Sequence, residues 1–450
     1  MPTTRAPNDR LREAIAASGL GYDGVARAVV RIAAENGEVL RTNKSAVAHW
    51  VAGTAPGERT ASYLAEALSR RAGRPVTLNQ LGLADRPGLE RIGAHPAADA
   101  VAMGRADVEH REWLAAAVYT ASDVVIPLDY DHEPVARLLR ARGGQARVGA
   151  EEIVVVRQIT KVFAAADEQL GGGHGLSTVA VYLADTAAPM LSGRYADEQT
   201  RRDAFGAVAE LAWLLGWKHH DLGQEGAAQR YYLLGFQLAT EADPHAHAAW
   251  MMRAVAHQAL SLKQPQHCLD LVQRALERAR GYTDGATEAL LHITHARAYA
   301  ALRERPLAAR ALLAAEDALA CDAEPQPAFS ALMGPAAGTV DSHTARTLTE
   351  IGDHRGTEER HRAAFTSWDL TKFPRVHLLT YADLGDCLAT QARADEAVAA
   401  WAQALALAEG MASARSASAL ASIRPTLVGY RRRGVPGAAL LERRIREVAL

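Results

Sequence analysis

The side chains best suited to chemistry lie between residues 41 and 53, in the stretch RTNKSAVAHWVAG. Read as a helix, this stretch has both ends marked. Thr42 or Asn43 can accept from the free N–H groups of the first turn, and Gly53 can take the left-handed conformation that ends a helix. Ala46, Val47 and Trp50 then share an apolar face, while Asn43, Lys44, Ser45 and His49 share the polar one. Amides, hydroxyls and cations on a short helix are the groups that read base edges in a DNA major groove. The candidate DNA contacts are Arg41, Thr42, Asn43, Lys44, Ser45 and His49, with Arg59 placed to meet a phosphate. An amphipathic surface helix of no special function has the same two faces, so the neighbouring elements must decide.

Those neighbours favour recognition. Apolar spacing predicts helices over residues 8–18, 22–36 and 60–72, the last after the turn Gly53-Thr-Ala-Pro-Gly57. Leu11, Ile15, Val25, Ala26, Val29, Val47, Trp50, Leu64, Ala67 and Leu68 are the expected core of this small bundle. Helix, helix, polar helix, turn and helix is the helix-turn-helix order. Residues 1–83 hold eleven Lys and Arg against seven Asp and Glu, a net +4; the whole chain is −2, which leaves −6 for the remainder. A basic head on an acidic body suits a DNA module joined to a sensor or assembly module.

No catalytic constellation appears, and the expectation is a protein that is not an enzyme and carries no cofactor. Gly171-Gly-Gly-His-Gly175 lacks the lysine and hydroxyl residue of a phosphate loop and reads as a flexible connector between helices. The pairs His219/His220 and His292/His295 have no cysteine or carboxylate at ligand spacing to close a four-ligand site, so no metal is expected. Trp213, Trp217, Tyr231, Tyr232 and Trp250 read mostly as core. Trp217, His220, Tyr231 and Tyr232 are the candidates for lining an effector-binding groove.

The elements that must position these residues follow from the bulk of the chain. At 450 residues, two or three domains are expected. Hydrophobic content of 49% with 23% charged residues is globular, and an alanine excess with only 6% aromatics favours packed helices. Cys268, Cys321 and Cys387 are too scattered for a disulfide framework and point to a reducing cytoplasm. No apolar run is long enough for a signal or a membrane span.

Along the chain, residues 85–111 read as a linker, with helices expected over 109–122 and 133–142 and an extended run at Val124-Val-Ile-Pro127. A long helix is expected over 151–170 and another over 176–191. From about residue 197, breakers mark helical hairpins with turn centres near 224, 264, 304, 354, 393 and 434, in steps close to 40 with one longer step. Paired helices at a near-constant step make a solenoid, because one hairpin cannot bury its own apolar face. The expected fold is therefore all-α: a helix-turn-helix bundle (1–84), a linker (85–111), a helical connecting region (112–200) and a tetratricopeptide-like solenoid (201–450).

Residues 8–83 resemble the Xre-type helix-turn-helix regulators of actinobacteria. The matching residues are Arg10-Leu-Arg12, Val25-Ala-Arg-Ala-Val29, Ser45-Ala-Val-Ala-His-Trp50, Gly53, Pro56 and Ala65-Glu-Ala-Leu-Ser-Arg-Arg71. The rest is similar to the tetratricopeptide-like region of the same long regulators, at Gly171–Gly175, residues 215–223 and Ala228-Gln-Arg-Tyr-Tyr232. The turn over residues 36–41 is longer than in the compact form of the motif. The resemblance implies a cytoplasmic, nucleoid-associated transcriptional regulator of development or secondary metabolism. Its partners would be double-stranded DNA, a second copy of the chain, and a small-molecule or peptide effector, with no membrane. The competing expectation is a helical-repeat scaffold that binds proteins and has no specific DNA site.

Overall fold

The computed structural model describes residues 6–35, 38–72, 76–83, 95–115, 117–121, 147–320 and 325–448. These residues are all-α apart from one two-residue parallel pair, β1 (Arg147–Val148) against β2 (Arg194–Tyr195).

The head is four helices: α1 (Asp9–Ala17), α2 (Tyr22–Glu35), α3 (Lys44–Val51) and α4 (Glu58–Ala72). Asn8 caps α1 by accepting from the Leu11 N–H. All ten residues expected in the head core are buried in one cluster, joined by Ile32, Tyr63 and Leu81.

The segment read as a linker contains more structure than its glycines and prolines suggest. Residues 84–94 lie outside the described part, but α5 (Pro96–Glu109) is a full helix that begins within the expected linker. Pro96 stands in its first turn, where a missing N–H costs nothing. Gly104 is there for close packing: a Cβ on it would sit 2.8 Å from the Ala180 carbonyl oxygen. The next expected helix, over 109–122, is shorter than its spacing implied. It ends as α6 (Arg111–Ala115), and residues 117–121 form a non-helical strap. The run expected at 124–127 and the helix expected at 133–142 lie outside the described residues.

α7 (Ala150–Leu170) is the expected long helix. α8 (Leu176–Tyr182) runs through a π-helical turn (Leu183–Ala187) into α9 (Ala188–Met190). The body then proceeds by antiparallel hairpins: α10 (Glu198–Asp221) with α11 (Glu225–Ala242), α12 (Ala246–Ser261) with α13 (Pro265–Ala279), and α14 (Gly285–Ala301) with α15 (Arg305–Ala320). After a short helix α16 (Ala328–Ala331) come α17 (Ala336–Ile351) with α18 (His354–Ser367), α19 (Pro374–Thr390) with α20 (Ala394–Leu407), and α21 (Ala414–Arg432) with α22 (Ala438–Val448). Five of the six expected turn centres fall between the two helices of a pair, and the sixth, residue 354, is the first residue of α18.

The hairpins share two local devices. Each turn carries a residue at positive φ: Gly223, Lys263, Arg303, Gly352, Ala392 and Gly434, the last joined by Gly437. Three of these are not glycine, and the left-handed conformation is strained for them, so the flanking helices must impose it. The second device is a glycine on the first helix that receives an aromatic ring from the second. A Cβ on Gly216 would lie 2.6 Å from the Tyr232 ring, and one on Gly385 would lie 2.3 Å from Trp401. Ring against backbone is what lets these helices approach closely.

The array curves back on itself. The Ala412 N–H donates to the Leu170 carbonyl at 2.8 Å, bringing the start of α21 against the end of α7. Gly171-Gly-Gly-His-Gly175 lies in this junction and is clamped, which corrects its reading as a flexible connector. A Cβ on Gly171 would sit 2.3 Å from the Ala412 oxygen, and one on Gly172 would sit 2.5 Å from the Lys218 oxygen. The glycines serve close approach of three backbone segments.

Candidate functional site

The polar helix of the head is α3. Asn43 is its cap: the side-chain oxygen accepts from the Ala46 N–H at 3.0 Å. That settles the choice between Thr42 and Asn43, and it commits the Asn43 oxygen while leaving its amide N–H groups outward. Arg41, Asn43, Lys44, Ser45 and His49 are exposed, Thr42 is half-buried, and Val47, Trp50 and Val51 face the core. The helix closes on Gly53 at φ 104°, where the Thr54 N–H donates to the His49 carbonyl. Arg41 and Lys44 make no ion pair with the described residues. Arg59 does; it is paired with Glu38, a carboxylate that competes with any phosphate for the same guanidinium.

The aromatic and histidine candidates of the body separate into two groups. Tyr231 is fully buried, and its hydroxyl donates to Asp107 Oδ2 at 2.9 Å. His219 Nε2 meets the same oxygen at 2.9 Å. Burial alone would push the Asp107 carboxyl up, but His219, Tyr231 and Arg111 together hold it below the usual carboxylate range. His220 is buried against Glu225 at 2.9 Å, and Tyr232 fills the Gly216 notch. Three of the four groove candidates therefore sit in the packed interior, because they fix α11 against α10 and α5. Trp217 alone reaches a cavity.

That cavity lies where the array closes, between α7, α10, α12, the α16 loop, α17, α18, α19 and the start of α21. It measures about 830 Å³ counted out to its open mouth. Trp213, Trp217 and Trp368 give it aromatic walls, with Leu332, Met333 and Leu379 between them. Its charged groups are Asp167, Glu168, Arg346, Arg375, Asp383 and Arg415; His257, His343 and His361 complete the polar lining.

Sequence reading missed Arg346, Arg415, His343, His361 and Trp368. They come from helices far apart in the chain, and nothing local to any one of them marks a shared site. A polar residue on the buried face of an alanine-rich helix was the signal available, and many residues of the body carry it.

A second arrangement links head and body. Gln229 on α11 clamps the backbone of Thr120 from both sides: its Nε2 donates to the Thr120 carbonyl at 2.6 Å, and its Oε1 accepts from the Thr120 N–H at 3.0 Å. The next residue, Ala121, donates its N–H to Glu66 of α4 at 2.9 Å. Val118 is buried within the head core. Gly226 permits the contact, since a Cβ there would fall 1.9 Å from the Ala117 oxygen. The strap is thus held by the first body hairpin on one side and by the head on the other.

Among the described residues no cluster of three or more His, Cys, Asp or Glu is arranged to hold a metal ion, and no helix is long and apolar enough to cross a membrane. Comparison with protein families matches residues 11–84, the head bundle, to the SP15 N-terminal domain. Comparison with curated proteins finds no match.

Proposed function

We propose that the chain is a sequence-specific DNA-binding transcriptional regulator whose helical body binds an effector and controls the head. The observation that carries this reading is α3: a short capped helix with Arg41, Asn43, Lys44, Ser45 and His49 turned to solvent, its two cations unpaired among the described residues. Solvated, unneutralised cations beside amide and hydroxyl donors are what a phosphate-lined groove attracts and a base edge can be read by. The net charge of +4 on residues 1–83 supports it. The strap from Gln229 to Glu66 supplies a physical route between the body and α4.

A single small head makes few phosphate contacts, so the working form is a homodimer on paired half-sites, in the cytoplasm with the nucleoid. The roles in development or secondary metabolism rest on the resemblance to Xre-type regulators alone. The test is selection of duplexes from a random library by the full chain, followed by fluorescence anisotropy at two salt concentrations. An enriched motif, with affinity falling steeply as salt rises, is the expected result. Absence of enrichment, or binding indifferent to salt, would leave the scaffold reading in its place.

A further inference from the structure

We infer that the cavity at the closure of the body is a receptor for a small organic anion, with one carboxylate-like group on a flat apolar body, and that Arg415 is its anchor. This names the ligand class of the sensor proposed above; it rests on the body being a sensor and does not require that the head bind DNA.

The argument begins with charge. Each carboxylate in the lining is paired with a cation other than Arg415. Asp167 is held by Lys218 at 3.1 Å and by Arg375 at 2.5 Å. Glu168 is held by Arg375 at 2.5 Å, and Asp383 by Arg346 at 2.8 Å. Arg415 is left over. Its guanidinium stacks over Trp217, 4.8 Å from the ring centre, and makes no hydrogen bond or ion pair with the described residues. The acids near it are spent elsewhere: Asp221 is ion-paired with Arg375 and accepts from Ser413 and the Gly172 N–H, and Glu225 is engaged by His220 and Gln258.

Two more arginines stand behind the cavity without a carboxylate partner. Among the described residues Arg253 donates only to the Leu290 carbonyl and the Met333 sulfur, and Arg297 makes no ion pair. Burial, with Arg346 beside it, pushes Arg297 down to about 9, and burial pushes Arg253 down to about 10. Both remain cations at neutral pH. The three arginines of the lining balance its three carboxylates, so Arg253 and Arg297 behind it add positive charge in an apolar wall, a combination that costs free energy unless an anion offsets it.

The polar lining also has unused bonding capacity. His361 is 1% exposed, and neither of its ring nitrogens has a partner. Nδ1 of His343 is likewise unpartnered. Buried polar atoms without partners are uncommon in folded proteins and call for an occupant. Both histidines line the cavity, as Arg415 does.

Shape supplies the rest. Trp213 and Trp217 stack with ring centres 5.9 Å apart and 15° between planes, and Trp368 closes another side. A planar body between tryptophans, its anionic end on Arg415 and the histidines, satisfies each feature.

The test is isothermal titration of the full chain with 1-naphthaleneacetate and with its neutral isostere 1-naphthaleneacetamide. The anion should bind at least about tenfold more tightly than the amide, the scale of one charge-assisted contact. Arg415→Gln should bring the anion to the affinity of the amide while leaving the amide unchanged, which also shows that the cavity remains folded. Arg415→Lys should restore part of the preference. Equal binding of the two probes, loss of both in Arg415→Gln with an unchanged melting temperature, or no binding of the anion at concentrations on the order of millimolar would overturn the assignment. None of these readouts involves DNA, so failure here and failure of the DNA-binding reading are separate results.

Discussion

The guanidinium of Arg375 lies 2.5 Å from the carboxylate of Asp167, fastening α19 to α7 across 208 residues of chain. Both side chains are 1% exposed, and the same guanidinium also meets Glu168 and Asp221. Burial alone would lower the Arg375 pKa, but the surrounding Glu168, Asp167 and Asp221 carry it above its usual value. One side chain thus joins the first long helix, the first hairpin and the penultimate hairpin into a closed array.

Such a knot is worth most when half of it is removed. Arg375→Met would leave Asp167 and Glu168 in a dry site with Lys218 and Arg415 as the remaining nearby cations, at a cost of about 3–5 kcal/mol. The urea midpoint should fall accordingly. Arg375→Met/Asp167→Asn should recover part of the loss, because the second change removes a stranded charge. A single-variant loss under about 1 kcal/mol, the scale of an exposed pair, would mean that the closure is solvated in solution.

On the head, the geometry changes how α3 should be probed. Asn43→Ala removes both a candidate base contact and the cap, and loss of the cap alone costs about 1 kcal/mol of stability. Asn43→Ser keeps the cap and removes the amide. Operator affinity of Asn43→Ser should fall by about 1–3 kcal/mol with an unchanged melting temperature, and that of His49→Ala by a similar amount. Lys44→Ala should weaken all duplexes alike and reduce the salt slope by about one. Arg59 is engaged by Glu38, so Glu38→Gln should strengthen binding if Arg59 reaches a phosphate. Wild-type affinity in Asn43→Ser/Lys44→Ala/His49→Ala would remove α3 as the reading helix.

How much of this was legible beforehand depended on whether the deciding contact was local. The head core and the hairpin turns were readable because apolar spacing and breakers are properties of a short window, and Leu11, Trp50 and Gly223 each announce themselves there. The cavity was not. Trp217, Arg415 and His361 meet only because the array curves, and curvature is the sum of packing angles that no window contains. Gly104 and Gly171–Gly175 were misread for a related reason. In sequence a glycine signals freedom, but Gly104, Gly171 and Gly172 are small because another backbone passes against each. Tyr231 and Tyr232 read as groove residues by type, and their partners Asp107 and Gly216 placed them inside.

The notch-and-ring pairs give a stability prediction. At Gly385 a single methyl would overlap Trp401 at 2.3 Å, and the indole cannot retreat, since its N–H donates to the Ala382 carbonyl and to Asp386. Gly385→Ala should therefore destabilise by about 1–3 kcal/mol, as overpacking does, even though alanine is the better helix former. Gly429, on α21, has open space around it, and Gly429→Ala should be neutral or stabilising. Comparing the two melting temperatures isolates the packing effect from propensity.

Acid should unfold the body through its histidines. Burial pushes His247 down to about 3, with Arg157 adding to it, and pushes His361 down to about 4; His257 and His343 lie well below the usual value for the same first reason. These rings stay neutral in the folded state, whereas in the unfolded chain they protonate near 6.5. Their contribution is complete above pH 6.5 and is lost as pH falls from there toward 4, by up to about 1.4 kcal/mol per pH unit for each ring. Glu210, raised by burial, titrates in the opposite sense. The urea midpoint should fall between pH 7.5 and 5, and His247→Asn should make that fall shallower. A midpoint flat across this range would show that the rings are hydrated.

The strap carries the prediction that bears most directly on regulation. Gln229 holds Thr120 from the body side, and Glu66 holds Ala121 from the head side. Gln229→Leu keeps the volume and deletes both bonds to Thr120, leaving a half-buried backbone carbonyl and N–H without these partners. The hydrogen bonds of Gln229 go to the strap and not to α3, so DNA affinity without ligand should change little in this variant. What should fall is the response to ligand, because coupling between two sites can be no larger than the difference each makes to the element between them. With 1-naphthaleneacetate as the cavity probe, wild type should show a shift in DNA affinity that Gln229→Leu lacks, while both bind the probe equally in titration. An equal shift in both proteins would mean that the signal reaches the head by another route, and Glu66→Leu, which frees the opposite end of the strap, would then be silent as well.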